Sequence, residues 1–207
     1  MRKITKGNEP AELTSWKRKN PHGRYDDLSH VERGAINETT RKEQFGLCAY
    51  CCKKIGENDS MNEHVEAQRL APNRTLDFNN IVASCTSSKQ CDAAHGSQPL
   101  PLTPLMDECE TELKFYFSGD VEGLTDRAKQ AIAVLNLNNQ SLIAKRKQQI
   151  KTLVMPPDTM ESVLFWDGET IDIFISEWLQ KPDDDDGFLQ AYSPVLVNVL
   201  RQRIIAF

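Results

Sequence analysis

The 207-residue chain is 39% hydrophobic and 27% charged, the composition of a globular protein of one or two compact domains. No apolar run approaches the roughly 18 residues of a membrane span, and the first six residues lack the apolar stretch of a signal peptide, so no membrane association and a cytoplasmic location are expected. In that reducing setting the six cysteines point to metal ligands before disulfides, and a net charge of −5 excludes a wholly basic nucleic-acid coat.

The charge is unevenly spread. Residues 1–24 hold seven basic side chains against Glu9 and Glu12, which makes residues 1–27 a basic N-terminal arm able to track phosphates. Residues 158–190 hold ten acidic side chains against Lys181, a surface suited to a protein partner or simply to solvent.

After the arm, Ser29 with Glu32 three residues on forms a capping box for a helix through Val31, Ala35 and Ile36 towards Phe45, with Gly46 as its stop. The segments 48–55 and 61–65 read as two strands meeting at the turn 56–60. Residues 66–80 read as a polar loop, 81–83 as a further strand, and Asp92 to His95 as the start of a helix. A proline-rich stretch, 98–104, then separates a core spanning 28–98 from a helical C-terminal region, 105–207. There Thr125 caps a long helix that 136–139 breaks in two, 163–179 mixes apolar residues around Trp166 and Trp178, and 183–187 is a solvated break. The last segment, from Phe188 through Leu196, Val199, Leu200, Ile204 and Ile205, suits an amphipathic helix packed on the core or offered to a partner.

Chemistry concentrates between Cys48 and His95. Cys48 and Cys51, then Cys85 and Cys91, make two thiolate pairs of the kind that hold a tetrahedral zinc. Cys52 adjoins the first pair and Cys109 has no evident mate. Zinc closed by four thiolates cannot activate water, so such a site is structural and catalysis must come from other groups. Those groups are Glu63 and His64, adjacent on a strand and so facing opposite ways, and Asp92 and His95, spaced i, i+3 on one helical face. His22 and His30 read as structural rather than catalytic histidines. Lys89, Arg69 and Arg74 lie in loops where they could meet phosphates or serve as ordinary surface charge.

The run Glu63-His64, then Thr75-Leu76-Asp77-Phe78-Asn79-Asn80-Ile81-Val82-Ala83-Ser84-Cys85, then Cys91-Asp92, resembles the HNH (ββα-metal) endonuclease motif with its zinc-knuckle embellishment. Glu43-Gln44-Phe45-Gly46-Leu47-Cys48-Ala49-Tyr50-Cys51 and Leu135-Asn136-Leu137-Asn138 with Leu142 and Arg146 are similar to the PtuB-type branch of that family, found in Septu-type and retron-associated phage-defence systems. The similarity covers roughly residues 25–155.

The resemblance implies an α+β fold, a zinc-knuckle ββα-metal core embedded in a mainly α-helical chain. It implies a metal-dependent endonuclease that hydrolyses DNA, leaving a 5′ phosphate, as the effector subunit of a defence complex. It assigns His64 as general base, Glu63 as ligand of a catalytic divalent cation such as Mg2+, and Asn80 as the residue that holds the loop and orients the base, with Asn79 as its fallback. Asp92 would be the second cation ligand with His95 assisting, although the five-residue second knuckle and an Asp in place of the final His leave the choice between them open. The partners it implies are a DNA substrate, a PtuA-like ATPase and, in the retron version, a reverse transcriptase with its RNA-DNA product. Two alternatives stand beside it: a non-catalytic zinc-knuckle adaptor, and a nuclease that cuts RNA or tRNA with the same site.

Overall fold

The computed structural model describes residues 1–154, 165–180, 182 and 187–204, without the side chains of 153, 154, 203 and 204. The expected break at 183–186, the first residues of the mixed segment around Trp166, and Ile205 lie outside the described residues.

Ser29 starts helix α2 (His30–Glu43) as its capping box requires: its hydroxyl accepts from Val31 N–H at 3.2 Å, and the Glu32 carboxylate accepts from Ser29 N–H at 2.9 Å. The helix stops short of Phe45 because Phe45 and Gly46 take φ of 53° and 70°, reversing the chain. A side chain at Gly46 would also meet the Phe188 ring at 2.5 Å.

Two strands follow, but not the expected pair. Residues 48–55 form a knuckle turn closed by an isolated bridge between Leu47 and Lys54 and by Cys48 N–H to Lys53 O at 2.8 Å. Cys52, at φ 62°, cannot continue a strand. Strand β1 (Ser60–His64) pairs instead with β2 (Ile81–Cys85), antiparallel, with Ser60 opposite Cys85 and His64 opposite Ile81. Between them, 66–80 is a loop with short 3₁₀ turns at Pro72–Arg74 and Phe78–Asn80. The four-residue helix α3 (Asp92–His95) begins directly after Cys91.

The N-terminal residues are not a free arm. They contain helix α1 (Ala11–Lys19), which packs on α2 and buries Leu13 completely in a cluster with Tyr25, Leu28, Ile36, Phe78 and Ile81. Met1 and Ile4 are buried, Ile4 N–H donates to Pro104 O at 2.8 Å, and Lys6 is spent on Glu43 at 2.6 Å and Ile81 O at 2.9 Å. The apolar side chains outweigh the conspicuous charges beside them.

Beyond the prolines lies a hairpin the sequence reading did not anticipate, β3 (Leu113–Phe115) with β4 (Val121–Gly123). Thr125 caps α4 (Asp126–Val134) as expected, its hydroxyl accepting from Ala128 N–H. Asn136, at φ 48°, turns the chain into α5 (Gln140–Val154). Helix α6 (Gly168–Phe174) continues into a π turn at Ile175–Leu179, and α7 (Ser193–Ile204) follows. Of the two expectations for α7, packing holds: Val195, Leu196, Val199 and Leu200 are buried, and Asn198 hydrogen bonds both Leu113 O and Phe115 N–H across β3.

The architecture is α+β, with two small antiparallel sheets among helices. Met1, the cysteines, Leu102, Leu135, Leu142, Ile171 and Leu200 share one buried cluster, so side chains from all three expected segments meet in it. Among the described residues no helix is long and apolar enough to cross a membrane.

Leu13→Ala should lower the unfolding free energy by about 2–5 kcal/mol in urea denaturation, the usual cost of a large buried-side-chain truncation. A change near zero would mean that residues 1–24 are an unpacked arm.

Candidate active site and metal centre

The sulfur atoms of Cys48, Cys51, Cys85 and Cys91 all lie within 4.8 Å of one another, fully buried. Cys48 to Cys91 is 3.8 Å and Cys51 to Cys85 is 3.9 Å. A tetrahedron with metal–sulfur bonds of about 2.3 Å has edges of about 3.8 Å, so the four cysteines could hold a metal such as zinc with little rearrangement. Neighbouring donors favour the thiolate form. Cys85 N–H points at Cys48 Sγ at 3.3 Å, and Gln90 Nε2 lies 4.0 and 3.9 Å from Cys85 and Cys91 Sγ. Cys52 and Cys109 are buried outside the quartet.

The wide second knuckle is held from outside. Cys91 sits at φ 56°, ψ −127°, a conformation that costs a non-glycine residue free energy and persists only where its surroundings impose it. The corner between α4 and α5 imposes it: Leu135 O accepts from Cys91 N–H at 3.0 Å, Asn136 Nδ2 donates to Lys89 O at 2.8 Å, and Asn139 Nδ2 donates to Gln90 Oε1 at 3.0 Å. Asn138 clamps both backbone groups of Val121, and the wholly buried Arg146 donates to Leu137 O at 2.6 Å. The 135–146 motif is thus a brace for the knuckle and the hairpin.

The knuckles deliver β1 and α3 to one cleft of about 610 Å³, lined among others by Tyr25, Arg33, Glu63, His64, Arg69 and Asp92. His64 is buried, its Nε2 2.9 Å from Thr75 O and its ring edge-on to Tyr25 at 4.8 Å. A carbonyl only accepts, so Nε2 carries the proton and Nδ1 keeps its lone pair. Burial pushes the His64 pKa down against the opposing pull of Thr75 O, keeping the ring neutral near pH 7.

Glu63 lies on the other side of β1, with His95 Nδ1 at 2.5 Å and Tyr50 Oη at 3.2 Å, both on Oε1. Burial alone would raise its pKa; the donors His95 and Asp92 outweigh it and hold the group below the ordinary glutamate value. Asp92 is pushed up to about 8, by burial first and then by its hydrogen bond to Glu63 and that group's charge. The two carboxyl groups therefore share a proton at pH 7. Burial lowers His95 and the contact with Glu63 raises it by more, so its pKa lies above the ordinary histidine value.

Asn80 stands behind this set. Its side chain accepts from Glu66 N–H at 2.8 Å and donates to Glu66 O at 2.9 Å, fixing the backbone two residues after His64, whereas Asn79 is exposed. Arg69 lines the cleft, but Arg74 is tied to Asp77 and Glu66. Lys17, His22 and Arg24 line a hollow beside Thr75, next to the His64 backbone partner. His30 is exposed on α2 and Lys89 is exposed in the knuckle loop.

Glu63, His64 and Asp92 thus come together, while Asn80 and His95 support them from behind. Among the described residues the thiol quartet is the one group of three or more ligating side chains with all atoms within 4.8 Å, so Glu63, Asp92 and His95 are not a preformed three-ligand cage. Sequence reasoning missed Tyr25, Tyr50, Thr75 and Gln90. Only Tyr50, sitting between two ligand cysteines, carried a signal that could have found it.

No family model matches the chain, and no curated protein does, so the function rests on this arrangement of groups.

Purified protein should carry one zinc per chain by elemental analysis, retained through mild chelation. Cys91→Ala should lose it and lower the melting temperature by well over 5 °C, and an unchanged melting temperature would contradict a structural metal.

Proposed function

We propose that the chain is a metal-dependent endonuclease of the HNH type that hydrolyses DNA phosphodiester bonds. The observation that carries this reading is one open cleft lined by His64, whose Nε2 faces the Thr75 carbonyl and leaves Nδ1 as the acceptor nitrogen, and by the carboxyl groups of Glu63 and Asp92. The antiparallel β1–β2 pair followed by α3 supplies these groups in the order the ββα-metal motif expects.

The residues fit a divalent cation. Glu63 and Asp92 are hard oxygen donors side by side, and the Asp92 pKa is pushed up by burial first and then by its contact with Glu63. Bound there, a cation would offset charge building on the phosphate and the leaving oxygen. His64 Nδ1 accepts the proton of a water molecule as its oxygen attacks phosphorus; the bond to the 3′ oxygen breaks and the 5′ phosphate remains on the other fragment. Asn80 and Thr75 keep the ring aimed during that transfer. Arg69 at the cleft and Arg24 near Thr75 give phosphates on either side a basic lining, while Lys17 is paired with Glu9.

The defence-complex setting, with an ATPase partner, belongs to the same proposal. What supports a protein partner is the exposure of Ile173 and Trp178 on a segment that also carries Glu169, Asp172 and Glu177.

Zinc-loaded protein with Mg2+ or Mn2+ should cut plasmid DNA, and His64→Ala should cut at least 100-fold more slowly, the low end of what a general base contributes. Equal rates would remove His64 from the mechanism, and cutting of bulk RNA but not DNA would favour the RNA alternative. Because the Asp92 carboxyl holds its proton up to about pH 8, Mn2+ binding at pH 7 should release close to one proton per ion, read by calorimetry in buffers of different ionisation enthalpy. No release would mean that the cation does not bind at this pair.

A further inference from the structure

Glu63 is gripped by donors from two different elements, and both grip the same oxygen. Tyr50 stands in the knuckle turn between Cys48 and Cys51, and its hydroxyl donates to Glu63 Oε1. His95 lies one turn beyond Asp92 on α3, and its Nδ1 donates to that oxygen too. Tyr50 is 1% exposed and His95 0%, their rings 6.3 Å apart and steeply inclined, so neither side chain has room to swing away. With Oε1 engaged by two buried donors, Oε2 and the Asp92 carboxyl that bonds Glu63 are the oxygens open to a cation. Asp92 lines the cleft whereas His95 does not, and the remaining His95 nitrogen, Nε2, is buried and without a hydrogen-bond partner among the described residues.

We infer that Tyr50 and His95 are positioning residues that present Glu63 Oε2 to the cation, with Asp92 as the second ligand, and that Tyr50 makes the zinc knuckle a working part of the active site. The inference rests on the nuclease reading above and adds to it a route by which the structural metal governs the catalytic one. The thiolates fix the 48–51 turn, the turn fixes Tyr50, and Tyr50 fixes the carboxylate. Removing the phenol hydroxyl leaves the ring, the packing and the quartet in place, and leaves Glu63 Oε1 held by His95 alone, with one restraint on its orientation lost.

The test is Mn2+ binding to zinc-loaded protein, followed by the electron paramagnetic resonance of the free ion. Tyr50→Phe should weaken Mn2+ affinity by about 10–100-fold, the usual effect of losing a partner behind a metal ligand, with zinc content and melting temperature unchanged. Its rate at saturating Mn2+ should return to within a few fold of wild type, because the hydroxyl acts through the cation and not on the reacting atoms. Bound Mn2+ should show no directly coordinated imidazole nitrogen by electron spin echo modulation. Equal Mn2+ affinity in wild type and Tyr50→Phe, with DNA cleavage intact, would overturn the inference and leave the nuclease reading standing. So would a nitrogen coupling that disappears in His95→Gln, or loss of zinc from Tyr50→Phe. A wild-type protein that neither binds Mn2+ nor cuts DNA would overturn both.

Discussion

Four thiolates cannot share a dry pocket less than 5 Å across unless a cation lies among them, because their mutual repulsion in a low-dielectric interior would force protonation or separation. That constraint organises the central part of the molecule. Cys48 and Cys51 pin the turn after α2, Cys85 ends β2, and Cys91 precedes α3, so one metal would fix the start, middle and end of the segment that carries the cleft. The strained Cys91 backbone and the brace from the α4–α5 corner belong to the same arrangement. So does Arg146, wholly buried, which has Cys51 as its foremost charge partner and would offset part of the negative charge of four metal-bound thiolates.

The strand alternation of β1 divides the chemistry. His64 turns towards Tyr25 and Thr75, where burial keeps it neutral and a carbonyl fixes its tautomer; Glu63 turns towards Tyr50, His95 and Asp92, where donors keep it ionised. On the proposed nuclease reading, a base and an anionic ligand set would then occupy adjacent residues without neutralising each other. Asn80 acts at one remove, through the backbone of Glu66, where its amide accepts from the N–H with its oxygen and donates to the C=O with its nitrogen at once.

Local signals in the sequence survived folding well. The Ser29 and Thr125 caps and the helix break at Asn136 depend on neighbours a few residues apart, and each formed as read; the two cysteine pairs also came together in one cluster that could hold a metal. Signals that depend on distant partners did not. Residues 48–55 have strand-like composition, but the knuckle geometry at Cys48 and Cys51 overrides it, and β1 finds its partner some twenty residues on. The packing of Met1, Ile4 and Leu13 was hidden behind seven basic side chains, and β3–β4, three residues per strand, is too short to show a period. In the candidate site, the sequence already singled out Glu63, His64 and Asp92, which line one cleft, whereas the Thr75 carbonyl left no signal, because a backbone oxygen leaves no trace in residue type.

Anomalous diffraction from crystals soaked in Mn2+, recorded at the zinc and manganese edges, reaches this account most directly. It predicts zinc at the centre of Cys48, Cys51, Cys85 and Cys91, and manganese against Glu63 and Asp92 beside His64. Zinc bound elsewhere, or manganese with no contact to that carboxylate pair, would contradict it.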